Sequence, residues 1–307
     1  MRIATGLVVF LTLWTTWAIG EQPTKISVDS HLIRGKEMIG EAVNTWSLEK
    51  MIASRAHFER LLTVGEKEWL VRYYLGYTDW RLSHYYMSQE DEKKTNEMVE
   101  DGINQLEACI KEQSKCSDAH ALLSSLYGTK ISLHPEQGMA LGQKSGAAME
   151  KAVSLDPKNP RAWYLRGVSA MYTPPLFGGG LERANEYLHK AVQLFETAKP
   201  LSDSILPTWG HGEAYGWLAL VQLDQDSLAA AEASLAKALK VNPANAWLTY
   251  EVAPKLEAAR KAGAQAADSA KAVRPSEKKT AVESKEKSPE EAGGEKVGEG
   301  SEKDSLK

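Results

Sequence analysis

From about Ser30 to Ala262, apolar residues recur at spacings of three and four, and Gly and Pro fall between such runs. That period is the α-helical one, and the Gly and Pro positions mark where one helix stops and the next begins. No stretch sustains alternation of apolar and polar residues, so strands are not expected and the predicted class is all-α. The first helix is expected to start at a cap on Asp29 or Ser30 and to run to about Val43. The pattern fades near Ala264, and from Glu277 to Lys307 the chain is mostly Lys, Glu, Ser and Gly. Such a segment buries too little surface to offset its ordering entropy. Residues 263–307 are therefore expected to form a disordered charged tail, either a tether or interaction arm, or a solvating tail with no specific partner.

The helical stretch repeats itself. Tyr215, Leu218 and Ala219 are followed by Ala231, Leu235 and Ala238, with Pro243 closing the unit. Small residues at Ala219 and Ala231 let two antiparallel helices approach closely, and a lone pair cannot bury its apolar faces, so such units must stack. Upstream, Trp163, Gly167 and Ala170 pair with Ala184, Leu188 and Ala191. Leu123, Ser124 and Tyr127 pair with Ser145, Met149 and Ala152, ahead of Asp156-Pro157. Leu75 and Gly76 pair with Leu106 and Cys109, and Ser47 to Leu62 follows the first helix. The offsets resemble the tetratricopeptide repeat (TPR), whose period is about 34 residues. The resemblance implies a right-handed solenoid of about five degenerate TPR-like helix pairs over 21–262.

Two segments extend the likeness. One is Tyr172-Thr173-Pro174-Pro175-Leu176-Phe177-Gly178-Gly179-Gly180. The other is Pro207-Thr208-Trp209-Gly210, with Tyr215, Trp217 and Leu218 after it and Asn245-Ala246-Trp247-Leu248 before Pro254. Together they resemble secreted bacterial TPR proteins and, more distantly, the TPR component associated with periplasmic TRAP transporters. A bacterial envelope location is what this resemblance implies.

The first residues point the same way. Arg2 supplies a basic start, Leu7 to Trp17 a short apolar run, and Ala18-Ile19-Gly20 a small-residue cleavage site. Residues 1–20 are thus expected to be a signal peptide cleaved after Gly20. An uncleaved anchor is the other reading, because Ile3 to Ile19 is almost long enough to span a bilayer. No Cys near Gly20 offers a lipid attachment site, and no second apolar stretch approaches spanning length.

Composition narrows the partners. Of 307 residues, 43% are hydrophobic, enough for a continuous repeat stack. A formal charge of −4, without a cluster of Lys and Arg in the folded region, argues against nucleic acid. The two cysteines, Cys109 and Cys116, stand at a helix end and in the following loop. In an oxidising compartment they make a candidate disulfide, and otherwise two buried thiols.

Candidate chemistry is sparse. His211-Gly212-Glu213 reads as a polar helix start, with no further ligand at metal spacing. Gly178 to Gly180 lacks the Lys-Ser/Thr and preceding strand of a phosphate loop. Neither enzyme nor cofactor is expected. Pro174 and Pro175 should stop a helix, the glycines should allow a tight entry into the next one, and Phe177 is expected as a hydrophobic plug that either shapes a pocket or caps the core. Candidate groove residues are Trp163, Arg166, Tyr172, Trp209, His211, Glu213 and Trp217, since aromatics and Arg carry most interface affinity. The expected function is an exported scaffold that binds a protein or peptide in a concave groove. The alternative is a small-ligand module serving a transporter, with Phe177, Tyr172 and Trp209 enclosing the ligand.

Overall fold

The computed structural model describes residues 27–199 and 204–283, with side chains placed up to 269. The expected signal peptide lies outside the described residues, as does the tail beyond 283. The described residues are helical: α1 Val28–Thr45, α2 Leu48–Leu62, α3 Glu68–Ser88, α4 Glu92–Glu112, α5 Ser117–Leu133, α6 Gly138–Leu155, α7 Pro160–Tyr172, α8 Leu181–Thr197, α9 His211–Asp224, α10 Leu228–Val241 and α11 Ala253–Glu283. A wide π-type turn at Leu248–Val252 leads into α11. The last helix thus continues past 262, where the charged tail was expected to begin.

Successive helices pack as antiparallel pairs, α1 on α2 through α9 on α10, and each pair stacks on the next. This is a TPR-like helical solenoid. Side-chain caps fix several of the starts. Ser27, rather than Asp29 or Ser30, opens α1, because its hydroxyl accepts from the Ser30 N–H. Ser47 opens α2, Asp91 opens α4 and Asn159 opens α7 in the same way.

The turn within three of the pairs is built identically. Ser47 N–H donates to Ala42, Asp91 N–H to Tyr86, and Ser227 N–H to Gln222. Just before each donor stands a left-handed residue, Trp46, Glu90 or Asp226. This is the Schellman closure of a helix. Pairs α5/α6 and α7/α8 depart from it where the chain inserts Pro135 and the 174–180 loop.

Within a pair, contact depends on missing side chains. A Cβ on Gly35 would meet Phe58 at 2.4 Å, one on Gly76 would meet Leu106 at 2.6 Å, and one on Gly167 would meet Leu188 at 2.6 Å. The equivalent place in α5 is Ser124, whose hydroxyl pairs with that of Ser145 at 3.0 Å. Gly167→Ala should therefore destabilise by about 1–3 kcal/mol, through overpacking. Gly142, exposed in α6 with open space around it, should gain about 0.5–1 kcal/mol on becoming Ala. Opposite shifts in the urea midpoint of the two variants check this.

Apart from Arg72, helix α3 is buried on every side from Leu70 through Ser83. Charges inside it are paired. Arg55 of α2 donates to Asp79 at 2.6 Å and to Asp101 of α4 at 2.8 Å, so it laces three helices together. Burial nevertheless pushes the Asp79 carboxyl up to about 7, against the pull of Arg55.

Candidate functional site

The interior of the solenoid is occupied by the chain itself. The stretch from Ser204 to Gly210, between α8 and α9, runs across the inner face of α1 and α3. Its backbone carbonyls would be stranded there without donors. Lys36 Nζ donates to the carbonyls of Ser204 and Leu206, and Tyr74 Oη donates to that of Ile205. Ile205 is buried. Gly210, at φ +105°, turns the chain into α9, a conformation that favours glycine.

Trp209 is the centre of this filling. Its ring stacks on Tyr77 at 4.7 Å and lies 5.7 Å from Trp80, with Tyr164 edge-on at 6.2 Å. Its indole N–H donates to the Tyr73 hydroxyl at 2.9 Å. Beside it, buried Glu213 pairs with buried Arg81. The Arg81 guanidinium lies 4.5 Å over Trp80 and donates through Nε to Tyr77 at 3.1 Å. Burial opposes its charge, but Glu213, Tyr77 and Tyr164 outweigh burial and hold it ionised. Burial also pushes the Tyr77 phenol up to about 12, so it stays protonated.

His211 begins α9, sandwiched between Phe195 at 5.0 Å and Tyr215 at 5.6 Å. Burial lowers its pKa, and its buried Nε2 meets no hydrogen-bond partner. A cavity of about 250 Å³ opens here between α1 and the start of α9. Asn242 joins the end of α10 to α1 along its rim, by a 2.8 Å bond to Asn44. A second cavity, about 460 Å³, lies against Leu206 and Pro207 and is lined by Trp69, Tyr73, Cys116 and Asp118. Among the described residues, no group of three or more His, Cys, Asp or Glu is placed to hold a metal ion.

The aromatic band continues outward. Trp217 packs 5.3 Å from Trp247 and carries Tyr172 edge-on at 6.0 Å. Tyr172 is 70% exposed, Leu176 88% and Phe177 77%. Phe177 is therefore not a plug, and neither it nor Tyr172 encloses a pocket with Trp209. The reason lies in the loop's backbone. Pro175–Phe177 forms a single tight turn, and the N–H groups of Gly178, Gly179 and Gly180 donate back to Pro175, Pro174 and Ala170. The backbone is thereby pinned to the end of α7, and the two large side chains point to solvent.

The expected residues fall into separate places. Trp209, His211 and Glu213 belong to the filled interior, while Tyr172, Trp217 and Phe177 belong to the outer end of the band. Trp163 and Arg166 sit at the α7–α8 seam, where Arg166 lies 4.8 Å over Tyr187 and Trp163 bonds Pro157 at 2.8 Å. Lys36, Tyr74, Tyr77 and Arg81 were not anticipated. The available signal was the presence of Asp79 and Arg81 in an otherwise aromatic and apolar run, where charges need partners. Cys109 and Cys116 are free thiols in contact with each other.

The architecture has known counterparts. The HusA haemophore from Porphyromonas gingivalis superposes with a TM-score of 0.57 at 22% identity, over 66% of this chain and 96% of HusA. TTC0263, a thermophilic TPR protein of Thermus thermophilus, gives 0.53 at 18% identity, over 75% and 99%. No known family profile matches the chain, and no curated protein matches its sequence. At such identities the likeness shows the fold alone, a TPR-like helical solenoid.

Proposed function

We propose that this protein is an exported TPR-type scaffold that binds an apolar segment of a protein partner at the outer end of its aromatic band. The observation that carries this reading is the exposure of Tyr172, Leu176 and Phe177 beside Trp217 and Trp247. Exposed apolar patches of this kind mark interaction surfaces. The rigid loop presents its side chains already ordered, which lowers the entropy lost on binding. The solenoid interior offers a partner little, because residues 204–210 already fill it. Export rests on the first twenty residues, and none of the described helices is long and apolar enough to cross a membrane.

The test is capture by crosslinking from the native envelope fraction, with the mature chain as bait. A partner should be retained by wild type and lost, by about tenfold or more in apparent affinity, with Tyr172→Ala/Phe177→Ala. Both positions are exposed, so the variant should unfold within about 0.5 kcal/mol of wild type. A partner that binds both baits equally overturns the site.

A second reading has its own observation: the cavity beside the orphaned His211 Nε2. Its volume of about 250 Å³ is below the range usual for drug-sized ligands. HusA is a haemophore, and a haem would fit here only if residues 204–210 moved aside, so haem titration is the test of this reading. A Soret shift on haem titration that vanishes in His211→Ala would favour this reading over the scaffold.

A further inference from the structure

We propose that Cys109 and Cys116 form a redox-active dithiol that exchanges with small disulfide compounds reaching Cys116 through the larger cavity. This inference is independent of the partner-binding reading.

The two cysteines differ in position and in role. Cys109 is buried in the last turn of α4, while Cys116 caps the start of α5 and lines the 460 Å³ cavity. The connecting turn is tight: Gln113 N–H donates to Cys109 and Cys116 N–H donates to Gln113. The Cys109 and Cys116 side chains interact with each other at the start of α5. Cys109 is the largest cause of a lowered Cys116 pKa, while Cys116 and burial raise that of Cys109, so Cys116 is the thiol that ionises first. A thiolate at a helix N-terminus is the usual attacking partner in exchange. The cavity suits a small charged disulfide: Trp69 and Tyr73 give apolar wall, and Lys115, Asp118 and Asp156 supply both signs of charge.

In the exchange, Cys116 thiolate attacks one sulfur of the disulfide and expels the other half as a thiolate. That leaving group takes the proton of Cys109. Cys109 then attacks the Cys116 sulfur of the mixed disulfide and releases the second half, which picks up a proton from water. Two protein thiols become one disulfide, and two electrons pass to the small disulfide, which leaves as two thiols.

The mature chain is equilibrated in glutathione buffers of graded ratio, quenched with acid, alkylated and weighed by mass spectrometry. Wild type should lose both thiols together, as one two-electron transition, without an accumulating adduct. Cys109→Ser should stop as a glutathione mixed disulfide at Cys116. Cys116→Ser should leave Cys109 unmodified, and far-UV circular dichroism shows whether each variant is folded. The proposal falls if wild type holds a stable adduct at Cys116 with Cys109 still reduced, or if both thiols stay reduced throughout. It also falls if a disulfide is present that glutathione reduces only after the chain is denatured, which is the behaviour of a purely structural bond.

Discussion

Replacing Arg81 by Met should cost about 3–5 kcal/mol, because it leaves Glu213 buried without its counter-charge. Replacing both, as Arg81→Met with Glu213→Leu, should recover most of that loss, since a packed apolar pair can stand in for a buried ion pair. Urea denaturation of the two single variants and the double variant gives the coupling directly.

Trp209→Ala should cost about 3–5 kcal/mol, the range for removing a large aromatic side chain from a packed interior. The ring stacks on Tyr77, and its N–H satisfies the Tyr73 hydroxyl. Trp209→Phe should restore the stacking while forgoing that hydrogen bond, a loss nearer to about 1 kcal/mol. Thermal denaturation separates the two. Tyr172→Ala, at the other end of the same band, should unfold like wild type. An effect of Trp209→Ala on partner capture is then a consequence of lost folding, and the Tyr172 variant is what isolates recognition.

The two ends of the band differ in how far the sequence discloses them. Helix pairs follow from local spacing: Tyr215 to Pro243 sets α9 and α10, and Gly167 against Leu188 sets α7 and α8. What joins those pairs across the interior has no local signature. Arg81 and Glu213 stand in different units, each ordinary in its own helix, and only packing brings them together. For that reason His211-Gly212-Glu213 reads as a polar helix start, which is true of His211 and misses the inward direction of Glu213. Phe177 illustrates the converse. The glycines mark a tight loop correctly, but the direction of its side chains depends on three backbone hydrogen bonds back to the end of α7 and to the two prolines.

The stretch from Ser204 to Gly210 also sets how many units the solenoid can have. An open repeat array is a sum of neighbour contacts, so units can be added or removed, and melting can start at either end. Here Lys36 and Tyr74 hold Ser204 to Leu206, Arg81 holds Glu213, and Asn44 holds Asn242. The first units are thereby fastened to the last, and the array closes on itself. An additional unit spliced between α4 and α9 would part Arg81 from Glu213, so copy number is fixed by closure. Deleting α1 would loosen α9 and α10 at the far end of the sequence, and the protein should melt as one body rather than fray unit by unit.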